Sequence, residues 1–278
     1  MAVHDERLFA VTYAELHRLD HSFRIEASWG HPMMAQVHDL LSAPDGLWIV
    51  ATKADALLLM APGGELRPTW RPAQSETLRR EFGLARTSEA PRDYREPVWE
   101  PDHGATHMNA VLRGRDELLV SLGRVTSPGA RAASGTRIGL PDDPAAVHAI
   151  VSVPLEAALG RATNDDASTL MVNPAPQLPN HNLYARDARI AFNDANRGAL
   201  IVHDVAAGKT VRSIQLPGTF PRGMCELDDG RLLIGNQQPL SLHLVDVDAA
   251  RLVRSWPLPG PDNESITAIV PLPATCAG

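Results

Sequence analysis

The stretch that decides the fold is HNLYARDARIAFNDANRGALIVHDVAAGKTVRSIQLP, His181 to Pro217, followed by RGMCELDDGRLLIGNQQP, Arg222 to Pro239. Four short apolar runs (His181 to Tyr184, Arg189 to Phe192, Leu200 to Asp204, Thr210 to Leu216) are separated by Asp-Ala-Arg, Asn-Asp-Ala-Asn-Arg-Gly and Ala-Ala-Gly-Lys. Those separators supply positive φ and side-chain caps, so the runs read as strands joined by tight turns. The pattern restarts about 40 residues on, the period of one four-stranded blade in a radial array.

Working outward, the same pattern opens at Val37 with VHDLLSAPDGLWIVATKADALLLMAPGGELRPTW and again at His107 with HMNAVLRGRDELLVSLGRV, which HAIVSVPL and STLMV complete. The repeat from Arg222 runs through Leu258. Ahead of these, Leu8 to Thr12, Glu15 to Leu19 and Phe23 to Trp29 offer three strands and no innermost partner. The run SITAIVPLP, Ser265 to Pro273, has the composition of a lone innermost strand, and pairing it with residues 7–29 would remove exposed edges. The expectation is therefore a single all-β domain over residues 1–278, a five-bladed β-propeller closed by the C-terminal strand. Six blades would need a further meander inside 126–170, which the sequence does not supply.

Two segments break the repeat. Residues 73–105 contain a short amphipathic pattern, SETLRREFGLAR, and a Pro-rich tract, and read either as a lid over a site or as a surface decoration. Residues 126–146 are rich in Gly, Pro, Ala and Ser and read as a long loop.

The hydrophobic fraction of 44% and the charged fraction of 21% are those of a soluble globular chain with length for a sizeable core. No run approaches the roughly 20 apolar residues of a bilayer span, and the N-terminus has no secretory pattern, so a cytoplasmic location is expected. A net charge of −7 without a basic stripe argues against nucleic acid and anionic membrane partners. Two cysteines, Cys225 and Cys276, make neither a disulfide framework nor a CxxC pair. Phosphate-loop, dinucleotide and GxSxG motifs are missing, so no nucleotide cofactor is expected.

Innermost strands of a propeller start on one face around the channel. Aligning the repeats puts His38, Asn109, His181, Gly223 and Ser265 at equivalent places, with His107, Arg222 and Glu264 within two residues. Three imidazoles, His38, His107 and His181, make a ligand set for a divalent metal (Zn, Fe, Mn or Ni), with Glu264 as acid/base and Arg222 as partner to an anion or oxyanion. Tyr13, Lys53, Asn109, Arg124, Asn193 and Asn236 form the expected substrate-binding rim. The same polar strand starts could hold only ordered water, and the histidines show no local HxxxH spacing. His148 reads as a surface or strand-face residue, and His243 as the half-buried partner of Asp246.

The order HDL with PDGLWIVAT, then HMNAV, PNHNLY, and FPRGM with LLIGNQQP resembles an uncharacterised bacterial family of β-propeller-like proteins, known only as domains of unknown function. The likeness spans residues 36–240 and rests on His107 with Asn109, Pro179 with His181, and Phe220 with Arg222 and Gly223. Asn180, between Pro179 and His181, departs from the Pro-His adjacency expected there. The resemblance implies a propeller with a channel site and no particular reaction. The functional expectation is an enzyme that hydrolyses, eliminates from or cyclises a small polar organic molecule at the channel mouth. The alternative is a noncatalytic propeller binding a ligand or a protein.

Overall fold

In the computed structural model, residues 1–85, 93–95, 106–126, 146–162, 167–175, 178–260 and 266–271 are described. They form five four-stranded antiparallel sheets, each built from one continuous stretch of chain with its strands in sequence order. The first sheet is β1 Ala2–His4, β2 Arg7–Val11, β3 Glu15–Leu19 and β4 Ile25–Gly30. The second is β5 Val37–Ala43, β6 Gly46–Ala51, β7 Ala56–Met60 and β8 Leu66–Trp70. The third is β9 Met108–Arg113, β10 Glu117–Thr126, β11 Ala146–Pro154 and β12 Ser168–Pro174. The fourth is β13 His181–Arg186, β14 Arg189–Asp194, β15 Ala199–Asp204 and β16 Lys209–Gln215. The fifth is β17 Thr219–Glu226, β18 Leu232–Gln238, β19 Ser241–Asp246 and β20 Arg251–Pro257. This is the five-bladed β-propeller that the repeat predicts.

The expected closure by the C-terminal run is corrected. Ala2–His4 is the innermost strand of the first sheet, pairing Ala2 with Phe9 and His4 with Arg7, so that sheet is complete without residues 265–273. Residues 266–271 carry no regular structure. They run instead beside the fifth sheet, where the Ile266 carbonyl oxygen lies 2.8 Å from the place a Cβ on Gly223 would fill and the Ile266 Cβ lies 2.6 Å from that of Gly235. Two glycines leave the room this segment occupies.

The sheets pack face to face, and period-two alternation sends alternate residues of each inner strand into opposite junctions. Ala2, Phe9 and Leu16 meet Leu47, Ile49 and Leu58 between the first and second sheets, and Trp48, Val50 and Leu57 meet Val111, Val120 and Val151 between the second and third. Phe192 and Ile201 meet Leu119 and Ile150 between the third and fourth, and Leu200 and Val202 meet Leu232 and Ile234 between the fourth and fifth. Among the described residues no core cluster joins the fifth sheet to the first.

Within the insertion, a helix α1, Glu76–Phe82, starts where the Ser75 side chain accepts from the Leu78 amide and ends at Gly83 in the left-handed region. It buries Leu78 and Phe82 in the core between the second and third sheets, and Glu81 accepts from Thr169 of β12. The helix is thus part of the outer wall. A second helix, α2 Leu155–Ala158, follows β11. Residues 86–92 and 96–105 of the insertion, and residues 127–145 of the long loop, lie outside the described residues. No helix among the described residues is long and apolar enough to cross a membrane.

Candidate functional site at the inner strand starts

The inner strand pairs of four sheets carry a local irregularity near their start, and it falls on the residues of interest. In β5 the partners step from Val37–Ala51 to Asp39–Val50, leaving His38 as the extra residue. In β9 they step from Met108–Leu122 to Ala110–Ser121, leaving Asn109. In β13, Asn182 and Leu183 stand against Phe192 alone, just after His181, and in β17 Gly223 is the extra residue just after Arg222. A β-bulge bends its strand and re-aims a side chain, and bulges are over-represented next to active sites. Left-handed backbone at Gln36, His107, Asn182 and Phe220 accompanies these starts, a conformation that costs non-glycine residues roughly 1–3 kcal/mol each.

The bulges bring four aromatic or imidazole rings and one guanidinium together. The His38 ring centroid lies 5.1 Å from that of His107 and 6.1 Å from that of His181, and His181 stands edge-on to Phe220 at 5.3 Å. The Arg222 guanidinium carbon sits 5.1 Å from the Phe220 centroid. His38, His107, His181, Asn109 and Arg222, far apart in sequence, therefore share one region.

Hydrogen bonds fix what each histidine presents. Thr52 Oγ1 donates to the Met108 carbonyl at 2.6 Å, so its lone pair must accept from His38 Nδ1, also at 2.6 Å. Neutral His38 therefore carries its proton on Nδ1 and a lone pair on Nε2. Asn109 is held from both ends: its Nδ2 donates to the Asn180 carbonyl, and its Oδ1 accepts from Ser121 Oγ at 2.8 Å. The second Nδ2 proton then points to His181 Nδ1 at 3.3 Å, which makes Nδ1 an acceptor and puts the His181 proton on Nε2. Because Ser121 spends its proton on Asn109, it accepts from His148 Nε2 at 3.0 Å. Gly123 makes room for this arrangement, since a Cβ there would come within 2.3 Å of Asn109 Nδ2.

Electrostatically the site is dominated by burial. His181 is 4% exposed, and its pKa is held well below the usual histidine value by burial and then by Arg222, His38, His107 and His148. Its Nε2–H is a buried donor without a hydrogen-bond partner among the described residues. Burial also lowers the pKa of Arg222, and no carboxylate within the described residues pairs with it.

The other rim residues divide. Asn193 and Asn236 are fully buried; Asn193 Nδ2 donates to Asn182 Oδ1, Asn236 Nδ2 donates to the Pro239 carbonyl, and the Oδ1 of each is left without a partner. Arg124 is buried, with its backbone amide donating to the Thr106 carbonyl. Lys53 is half-buried in the short 3-10 turn Thr52–Ala54. Tyr13 is 54% exposed, and only its backbone carbonyl, accepting from the Val37 amide, ties it to the start of β5. Glu264 lies outside the described residues. Among the described residues no group of three or more His, Cys, Asp or Glu side chains has the arrangement of a metal centre.

Sequence reasoning missed Thr52, Ser121 and Asn182, whose hydroxyls and amide tie the second, third, fourth and fifth sheets together; Asn182 Oδ1 accepts from both Asn193 and the Gly223 amide. It also mispaired one histidine, and of the two places it allowed another, surface or strand face, the structure gives the strand face. His148 is fully buried against Phe192 and bonded to Ser121, and His243 lies between Ser241 and Ser255 instead of pairing with Asp246.

No protein-family model matches the chain, and no curated protein sequence matches it. Among solved structures it is similar to a streptogramin B lyase (12% identity, TM-score 0.55, covering 94% of this chain and 68% of that one). It is also similar to virginiamycin B lyase from Staphylococcus aureus (12%, 0.52, covering 96% and 71%). A third likeness is to a protein of unknown function from Bacteroides caccae (10%, 0.54, covering 88% and 69%). At such identities the likeness is one of fold: this chain has a β-propeller architecture shared with enzymes and with a protein of unknown function.

Proposed function

We propose that the inner strand starts form an acid/base site for an elimination or hydrolysis on a small polar organic molecule, with elimination favoured. The observation that carries this reading is the opposed pair of tautomers: His38 presents a lone pair at Nε2, and His181 presents a proton at Nε2, with the rings 6.1 Å apart. His38 Nε2 takes a proton from carbon or from water, and the Nδ1–H···Thr52···Met108 chain steadies the imidazolium that forms. His181 Nε2–H and Arg222 face the negative charge that develops on the substrate as the proton leaves. Glu264 remains a candidate acid on sequence grounds. Two of the solved propellers of this fold are named as lyases, which supports elimination over cyclisation.

The test is turnover of a panel of small esters and lactones bearing an acidic C–H, including a streptogramin B, followed by mass spectrometry. Elimination opens a ring at unchanged mass, whereas hydrolysis adds water. His38→Gln is expected to lower kcat by about 10²-fold or more with folding retained, the usual contribution of a positioned base. Unchanged turnover in that variant would sink the reading.

The close approach of His38 and His107, at 5.1 Å, favours a second reading in which a divalent metal joins them. His181 fits that role poorly, since ligation through Nε2 would require Asn109 to turn over and give up the Asn180 carbonyl. Elemental analysis of the parent and of His107→Ala decides it: about one equivalent of metal lost in the variant supports a His-ligated centre.

A further inference from the structure

We propose that Arg222 and the Nε2–H edge of His181, standing against Phe220, form a subsite for a carboxylate group of the substrate. This rests on the acid/base reading of the same mouth and supplies the class of molecule it takes.

Three observations converge. Arg222 is a desolvated guanidinium whose only close partner among the described residues is the Phe220 ring. Arg222 is half-buried, a partly desolvated charge without a counter-ion among the described residues is costly, and a fold tolerates it where a ligand brings the opposite charge. His181, 4% exposed, aims a second donor without a partner, and Arg222 is the charge that acts on it most strongly. Among the described residues, the charged and titratable groups that act on His181, namely Arg222, His38, His107 and His148, are all basic.

The charge balance selects within the oxyanions. Arg222 is the one permanent cation in this group, and the Asn109 network keeps the His181 proton on Nε2, where burial holds the ring neutral. One positive charge and one neutral, buried N–H without a partner among the described residues match a monoanion, and a planar guanidinium fork matches a carboxylate's two oxygens. A phosphate dianion would bring more negative charge than Arg222 balances.

The experiment uses the full chain, labelled with 15N, and follows the ring N–H signals of the histidines while acetate, inorganic phosphate or methylammonium is added. Acetate is expected to shift the His181 Nε2–H signal saturably, methylammonium to leave it unmoved, and phosphate to bind more weakly than acetate. Arg222→Gln is expected to weaken acetate binding by about tenfold, the scale of one charge-assisted hydrogen bond, and Arg222→Lys to restore part of it. Circular dichroism of both variants guards against a mere loss of fold, and if Arg222→Gln does not fold, His181→Leu, read through the Arg222 Nε–H signal, is expected to weaken acetate binding in its place, equal binding there counting against the proposal. No acetate-induced shift, equal acetate binding by folded Arg222→Gln, or tighter binding of phosphate overturns the proposal. Acetate binding without any turnover would sink only the acid/base reading. His38-dependent turnover of uncharged substrates without acetate binding would sink only the carboxylate subsite.

Discussion

At the scale of single residues, the site depends on groups that look unremarkable in sequence. Thr52, Ser121 and Asn182 are common polar residues in β-rich turns and strands, yet each has a partner on a neighbouring sheet or passes its hydrogen bond to a residue that does. The candidate histidines and Arg222 were legible because polar residues opening apolar strands stand out. Their tautomers were not, because a tautomer is set by what the other ring nitrogen meets across sequence distances as long as the 72 residues between Asn109 and His181. Burial of the network also predicts an acid sensitivity. Burial pushes the pKa of His148 down from 6.5 to about 3. The unfolded chain accepts a proton that the folded chain refuses, so the stability His148 contributes is complete above about pH 6.5 and is lost as pH falls towards about 3. His181 acts in the same direction. Asp55, pushed up to about 6 by burial, acts oppositely: its contribution is complete below its ordinary 3.8 and is lost as pH rises through about 6. His148→Gln should flatten the pH dependence of urea unfolding between pH 6.5 and 3 by about one proton; a slope equal to the parent's would contradict this assignment.

At the scale of elements, the repeat was legible because its strands alternate and its turns carry Gly, Asn and Asp at the positions that need them. The misreading concerned the shortest strand. Ala2–His4 is three residues long, too short to show a period, while SITAIVPLP has the β-branched composition of a strand without a sheet edge to join. Strand propensity reports fit to a pleated, half-buried surface, and the first sheet already has that place filled. Ending the chain after Gly260 should therefore leave the far-ultraviolet circular dichroism and cooperative unfolding in place, at the cost of the Ile266 contact with the fifth sheet. Loss of a sheet's worth of signal would restore the closure that the sequence suggested. The bulges were half legible: alignment marked His38, Asn109 and Gly223, but the extra residue exists only in the pairing register.

At the scale of the whole molecule, the second, third and fourth sheets are packed on both faces, while core clusters among the described residues cover the first and fifth on one face each. Amide exchange should show this gradient: β6, β10 and β14 should exchange only through the largest opening events, and β3 and β19 through smaller ones. Uniform protection across all five sheets would mean that the terminal sheets are covered as fully as the inner ones. The molecule as a whole carries a net charge of −7, yet Arg222 and three histidines gather at the inner strand starts, a local concentration of basic groups on an acidic chain.

The contiguity of each sheet bears on how the protein is made. The first sheet is complete by Gly30 and the second by Trp70, and neither waits for a strand supplied by the far end of the chain. Pairing is local, so sheets can form one after another as the chain leaves the ribosome, each new one docking on the last. The proposed acid/base site keeps a different timetable. The base chain is available once Met108 joins Thr52, the Asn109 donor chain waits for His181, and the guanidinium arrives only with the fifth sheet. A nascent chain would be folded in part long before the proposed site was assembled, since that site waits for the fifth blade.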